Sequence, residues 1–248
     1  MTALAVDRLT HDFGGLRALD GVTLAVGVGE RRVIMGPNGA GKTTLFNLIT
    51  GLLSPLAGRI HLYEHDVTGL APYRRARLGL GRTFQITTLF PRLTVLECVL
   101  LAVQGADPAR FSLFGSLRAN RHLRRRGEAL LADWGLADRH DVPTGELSYG
   151  EQRQVELLLA LAGGPRVLLL DEPTAGLSPA ETGTVVAMIE RFPRDITVLL
   201  IEHDMDVALA LADRITVLHQ GRVLADGTRD EVRVDARVAE IYLGSGDA

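Results

Sequence analysis

The chain is poor in cysteine, in lysine and in long apolar runs, and each shortage narrows what the protein can be. A single thiol, Cys98, excludes an internal disulfide, and its setting in "LECVLLA" reads as a small buried hydrophobe in a reducing compartment. A helix that spans a bilayer needs about 20 predominantly apolar residues. Acids such as Glu97, Glu156 and Glu202 interrupt every candidate run, so no crossing is expected. The opening "MTALAVDRLTHD" lacks the basic region and apolar core of a secretory leader, which makes the cytoplasm the expected location. There is also no basic excess. The formal net charge of -3 argues against a nucleic-acid partner, because such proteins neutralise many phosphates at once. Of the 27 basic residues one is a lysine, Lys42, so that position needs a reason of its own.

What is present is an α/β pattern in a chain of 248 residues. "LAVDRL" and "GVTLAV" alternate as strands, and "RRVIM" runs as a strand into "GPNGAGKTT". "KTTLFNLIT" follows with helical spacing and Gly51 at the expected C-cap, and "GRIHLY" returns as a strand. From about Arg92 the pattern turns helical, through "TVLECVLLAV", the arginine-rich "RANRHLRRR" and "EALLADWGL". The arginines read as a solvated helix face. From Pro165 strands and helices alternate again: "RVLLLD", "ETGTVVAMIERF", "ITVLLIEH", "DMDVALALAD", "RITVLH" and "GRVLAD". Apolar runs such as "VLLLD" suit strands covered on both faces of a parallel sheet. One domain over 1–248 is expected, with an α/β core from 1–85 plus 165–248 and a helical subdomain from 86–164.

Two stretches carry chemistry. Gly36, Gly41, Lys42 and Thr43 fit G-x-x-x-x-G-K-[ST] between a strand and a helix, the context that makes this phosphate-loop motif meaningful. The glycines let backbone N–H groups turn onto phosphate oxygens, and the positive end of the following helix adds to the attraction. The whole run Gly36, Pro37, Asn38, Gly39, Ala40, Gly41, Lys42, Thr43 and Thr44 is the expected nucleotide contact. In it Lys42 reaches the β- and γ-phosphates and Thr43 offers its hydroxyl to Mg2+. "RVLLLDEP" then ends a buried strand in two acids at the edge where open α/β sheets bind ligands. Asp171 is placed to hold Mg2+ and Glu172 to polarise water as a general base. These motifs specify a P-loop nucleoside triphosphatase and nothing narrower.

"LSYGEQRQVELLLALAGGP" at 147–165 narrows the class, because it resembles the signature sequence of ATP-binding cassette (ABC) proteins. The resemblance runs the length of the chain. It implies the P-loop NTPase ABC cassette: an α/β fold with a RecA-like, mostly parallel core, an N-terminal antiparallel β subdomain and an inserted helical subdomain. It also implies roles. Phe13 sits where the family places an aromatic that stacks on adenine, Gln85 in "GRTFQ" at the glutamine loop, "AGLSPAE" at the D-loop and His203 at the switch histidine. Two cassettes of such proteins close head to tail, so Ser148 and Gly150 of one chain would meet the γ-phosphate held by Lys42 of the other. Gln85 would serve Mg2+ or water, and His203 would donate to the γ-phosphate and orient the water. Three positions depart from the family pattern: Tyr149 replaces a glycine, Glu151 a glutamine and Ser178 an aspartate. Tyr149 is expected to turn away from phosphate.

Within ABC proteins the chain is most similar to ATP-binding subunits of branched-chain amino acid importers, in "FGGLRALDGVTL", "GLGRTFQITTLFPRLTVLECVLLA", "DEPTAGLSPAET" and "IEHDMDVALALADRITVLHQGRVLADGT". That resemblance implies ATP and Mg2+ as cofactors and a second cassette, identical or paralogous, as partner. Two transmembrane permease subunits and, indirectly, a periplasmic binding protein complete the assembly. It implies a cytoplasmic protein held peripherally on the inner face of the plasma membrane, with "ITTLFPRLTVLE" receiving a permease helix. Urea or amide import and lipopolysaccharide export use similar cassettes. A non-transport ABC ATPase is opposed by the lack of a tandem cassette or a long coiled-coil insert.

Overall fold

The computed structural model describes residues 1–83, 89–106 and 121–243. Backbone contacts divide them into two units, one from Met1–Arg82, Arg166–Pro173 and Phe192 onward, the other from Thr83–Pro165 and Thr174–Arg191.

The first unit opens with a long antiparallel pair, β1 (Thr2–Phe13) and β2 (Leu16–Gly27). Gly14 and Gly15 turn between them at φ 54° and 96°, where a two-residue hairpin needs positive φ at both positions. Buried Val22, Leu24 and Val26 alternate with exposed neighbours, so one face of the pair is apolar. β3 (Arg31–Met35) leads through the glycine loop into α1 (Lys42–Thr50), which ends on Gly51 at φ 80° as the sequence requires. β4 (Ala57–Leu62) and β5 (His65–Asp66) complete a four-stranded antiparallel sheet in the order β2-β1-β4-β5. Next come α2 (Pro72–Arg77) and the short strand β6 (Leu80–Arg82).

In the second unit α3 (Val95–Ala106) packs on α4 (Arg121–Asp133) where Gly127 lets Leu96, Val99 and Leu100 approach its backbone. Arg121, Arg124, Arg125 and Arg126 of α4 are exposed, as expected of a solvated face, while Arg118 of the same run lies outside the described residues. Cys98 on α3 is buried, and that burial pushes its thiol pKa up. α5 (Tyr149–Ala162) packs on α3 and also on α6 (Pro179–Glu190). The sequence division keeps 165–248 with the core, whereas contacts group α6 with the helical unit. Helix-to-helix packing of that kind leaves no trace in the periodicity of either segment.

Back in the first unit, β7 (Val167–Asp171), β8 (Thr197–Ile201), α7 (Met205–Leu211), β9 (Arg214–His219), β10 (Arg222–Thr228), α8 (Arg229–Arg233) and α9 (Ala236–Leu243) follow. A six-stranded sheet forms in the order β10-β9-β3-β8-β7-β6, parallel except for β10 against β9. All residues of β3, β7 and β8 are buried, which explains the apolar runs 33–35, 167–170 and 198–201. Each Leu, Ile or Val so buried contributes about 1.5–3 kcal/mol. Even Arg32 is 3% exposed, bonded to Glu30 at 2.6 Å, to Thr216 at 2.9 Å and to Asp226. No helix among the described residues is long and apolar enough to cross a membrane.

Candidate nucleotide site

Register places the site. Ile34 lies beside Ile201, and Ile201 beside Asp171, so β3, β8 and β7 end at one level with β8 in the middle. The segments leaving that edge are the glycine loop after Met35, Glu202-His203 after Ile201 and Glu172 after Asp171. Strand ends of a parallel sheet are where such folds bind ligands.

The loop is built for an anion. Gly36 has φ 144°, and a Cβ there would stand 2.2 Å from the Leu218 carbonyl oxygen. Gly41 caps α1 at φ 101° and would drive a Cβ to 2.6 Å from both the Ala18 oxygen and Leu19. No side chain caps α1 and no acid lies in its first turn, so the positive helix end faces the loop. Lys42 is 7% exposed, and its Nζ donates to the carbonyls of Gly36 at 2.6 Å and Pro37 at 3.0 Å. Burial pushes its pKa down, while Glu172 and then Asp171 act to raise it, so both acids lie within electrostatic reach. Thr43 is exposed at the start of α1.

Gly36→Ala is therefore expected to displace the loop from the end of β9. It should lower stability by about 1–3 kcal/mol and ATP affinity with it. Gly39→Ala meets no atom within 4 Å and bears only the strain of φ 78°, about 1–2 kcal/mol. Thermal melts and nucleotide titrations of the two variants compare a clash with backbone strain alone.

Asp171 is 2% exposed and accepts from Arg82 Nη2 at 2.8 Å. Glu172, just past the end of β7, donates its N–H to the Ile201 carbonyl at 3.0 Å and stands at φ 48°, an unusual backbone for a non-glycine residue. His203 is exposed two residues past β8. Phe13 ends β1, 48% exposed, with the His11 ring edge-on at 4.6 Å. Gln85, and with it Ile86–Thr88 of the segment expected to receive a permease helix, lies outside the described residues.

In the helical unit Ser148 is the N-cap of α5. Its Oγ accepts from Glu151 N at 3.2 Å, and Glu151 accepts from Ser148 N at 2.9 Å. The departure at Glu151 is thus half of an S-x-x-E capping box, a signal present in the sequence. Ser178 repeats the device on α6 with Glu181. Glu181 also accepts from the N–H of Gly150, and its pKa is lowered chiefly by its bonds to Ser178, with a smaller effect from Gly150. The N-terminus of α5 already holds one carboxylate. Tyr149 lies against Gly176, its hydroxyl accepting from Arg153 at 3.0 Å and donating to the Ala175 carbonyl at 3.4 Å.

A glycine loop on a helix N-terminus, two acids at the same edge of the parallel sheet and a separately capped signature helix define an ATP-binding cassette. The chain belongs to the ABC transporter family, whose model matches residues 19–175. A second model, the branched-chain amino acid ATP-binding cassette transporter, matches 222–248. The chain is 41% identical to the high-affinity branched-chain amino acid transport ATP-binding protein BraF of Pseudomonas aeruginosa, over 97% of each protein. It is 40% identical to LivG of Escherichia coli, again over 97% of each. Among solved structures it is similar to the ADP conformation of MJ1267, an ATP-binding cassette of an ABC transporter, with 32% identity and a TM-score of 0.87 over 98% of this chain and 99% of that one. The protein is an ABC ATPase with the expected fold.

Proposed function

We propose that the chain binds ATP with Mg2+ and hydrolyses it to power import of branched-chain amino acids. The observation that carries the ATPase reading is that Lys42, Asp171, Glu172 and His203 all end or follow strands that terminate at one edge of the sheet, beside an anion-ready loop. Lys42 and the backbone N–H groups of 38–44 hold the β- and γ-phosphates, and Phe13 offers an exposed ring to adenine. Thr43 and Asp171 supply the oxygen ligands suited to Mg2+, with Gln85 as a further one. The cation, when bound, neutralises charge on the β- and γ-phosphates. Glu172 takes the proton of the attacking water, and His203 donates to the γ-phosphate and orients that water.

Ser148 and Gly150 serve the nucleotide of a second cassette. For Gly150 this requires phosphate to replace the Glu181 carboxylate, an exchange of one anion for another. The partners are a second ABC ATPase subunit, identical or paralogous, and two permease subunits fed by a periplasmic binding protein. The chain would then sit in the cytoplasm on the inner face of the plasma membrane. The cargo follows from the relatives, which are branched-chain amino acid transport proteins over nearly their whole length. Proteoliposomes holding the chain with two permease subunits and a second ATPase of a branched-chain amino acid importer should take up labelled leucine, isoleucine and valine in an ATP-dependent way. Uptake of urea or amides alone would assign a different cargo.

A further inference from the structure

Arg82 is not among the residues that the sequence motifs assign, yet it is one of the most tightly held side chains in the core unit. It ends β6, the three-residue edge strand beside β7. Its side chain is 8% exposed and that of Asp171 3%. Nη2 donates to Asp171 Oδ2 at 2.8 Å, while Nη1 donates to Asn47 Oδ1 at 2.7 Å and Thr50 Oγ1 at 3.2 Å. The guanidinium carbon lies 5.8 Å from the centre of the Phe46 ring. Phe46, Asn47 and Thr50 all belong to α1, the helix that begins at Lys42 and Thr43.

One planar cation therefore links the carboxylate at the end of β7 to the helix that carries the phosphate loop. A buried carboxylate needs a counter-charge, and Lys42 directs its ammonium into the loop carbonyls. The guanidinium fork meets acceptors on two elements at fixed angles, which an ammonium on a flexible stem does not.

We infer that Arg82 is a positioning residue for the divalent-cation site, holding the Asp171 carboxylate at a fixed distance from Thr43 by bracing it against α1. The inference rests on the reading of Asp171 and Thr43 as the Mg2+ partners. A plain structural ion pair would stabilise the chain with no particular effect on metal-dependent nucleotide binding.

The test uses the full chain in wild-type form and as R82M, R82K, D171N and R82M/D171N. Affinity for a fluorescent ATP analogue is measured with Mg2+ and with EDTA. Wild-type protein should gain affinity from Mg2+, and D171N should lose most of that gain. R82M should fall to the level of D171N while its affinity in EDTA stays within about 2-fold of wild type. R82M/D171N should match D171N. R82K keeps the charge and should lie between R82M and wild type, and it reports even where R82M fails to fold. The inference is overturned if R82M and R82K keep the wild-type gain, if they weaken binding equally with and without Mg2+, or if R82M lowers the gain further in the D171N background. Failure of the underlying reading looks different, since D171N itself would then keep the full Mg2+ gain.

Discussion

Glu172→Gln is expected to bind ATP at least as well as the unsubstituted protein and to hydrolyse it about 100- to 10,000-fold more slowly, the range by which a positioned general base accelerates proton transfer. At about 1.4 kcal/mol per decade this corresponds to roughly 3–5.5 kcal/mol of transition-state stabilisation. Glutamine matches glutamate in shape, so the backbone at φ 48° and the N–H bond to Ile201 persist. What goes is the basic oxygen and one negative charge within reach of Lys42. Less repulsion then faces the incoming phosphates, which is why binding holds or improves while turnover falls. With hydrolysis blocked, the ATP-bound pair of cassettes should accumulate, seen by light scattering, with the second cassette added where it is a paralogue, as a species of about twice the mass of one cassette that forms only with Mg2+ and ATP. Undiminished hydrolysis would remove Glu172 from the role of base.

The parts legible in the sequence are those whose structure is local. The strand "RVLLLD" reads as a central strand because both its faces are covered, and Val167–Asp171 is entirely buried. Gly51 reads as a C-cap because only a left-handed residue closes α1 there, and it stands at φ 80°. The loop glycines read as a phosphate cradle because spacing alone defines it.

What stayed hidden depends on distant partners. β6 is three residues long, too short for any period, and the bonds of Arg82 to Asn47 and Asp171 join positions far apart in the chain. α2 begins at a proline in a short arginine-rich segment with no apolar stripe, and Arg75 within it is buried on carbonyls of Leu48, Ile49, Thr68 and Leu70. An arginine that caps another helix's C-terminus looks, in sequence, like any solvated arginine. The capping boxes of Ser148 with Glu151 and Ser178 with Glu181 are legible as S-x-x-E, and Glu151 and Ser178 are departures from the family pattern. Their chemistry is N-capping, and capping explains why a glutamate follows each serine at the third position.

Lys42→Arg is expected to be nearly as damaging as Lys42→Ala, although it keeps the charge. The lysine stem threads the loop and places one ammonium 2.6 Å from the Gly36 carbonyl and 3.0 Å from that of Pro37, at 7% exposure. The ammonium is already seated on both loop carbonyls, so a larger head group has to displace them. A guanidinium is wider than an ammonium and presents its donors in a rigid plane, and forcing it into packed surroundings costs about 1–3 kcal/mol. That strain adds to the loss of at least one charge-assisted bond to phosphate, worth about 1.5–3 kcal/mol. Together they predict a fall in ATP affinity of about 100-fold or more for Lys42→Arg. Lys42→Ala should lose at least as much by removing the charge outright. Titration with a fluorescent nucleotide compares the two. If arginine binds ATP within a few-fold of lysine, charge is sufficient at position 42, and shape does not explain why a chain that uses arginine everywhere else keeps its one lysine there. If alanine binds ATP normally, the phosphate-loop reading fails as a whole. With both variants impaired and the melting temperature of Lys42→Ala close to that of the unsubstituted protein, the lysine serves the ligand rather than the fold. Burial lowers its pKa while Glu172 and Asp171 act to raise it, and an arriving phosphate would add to that raising.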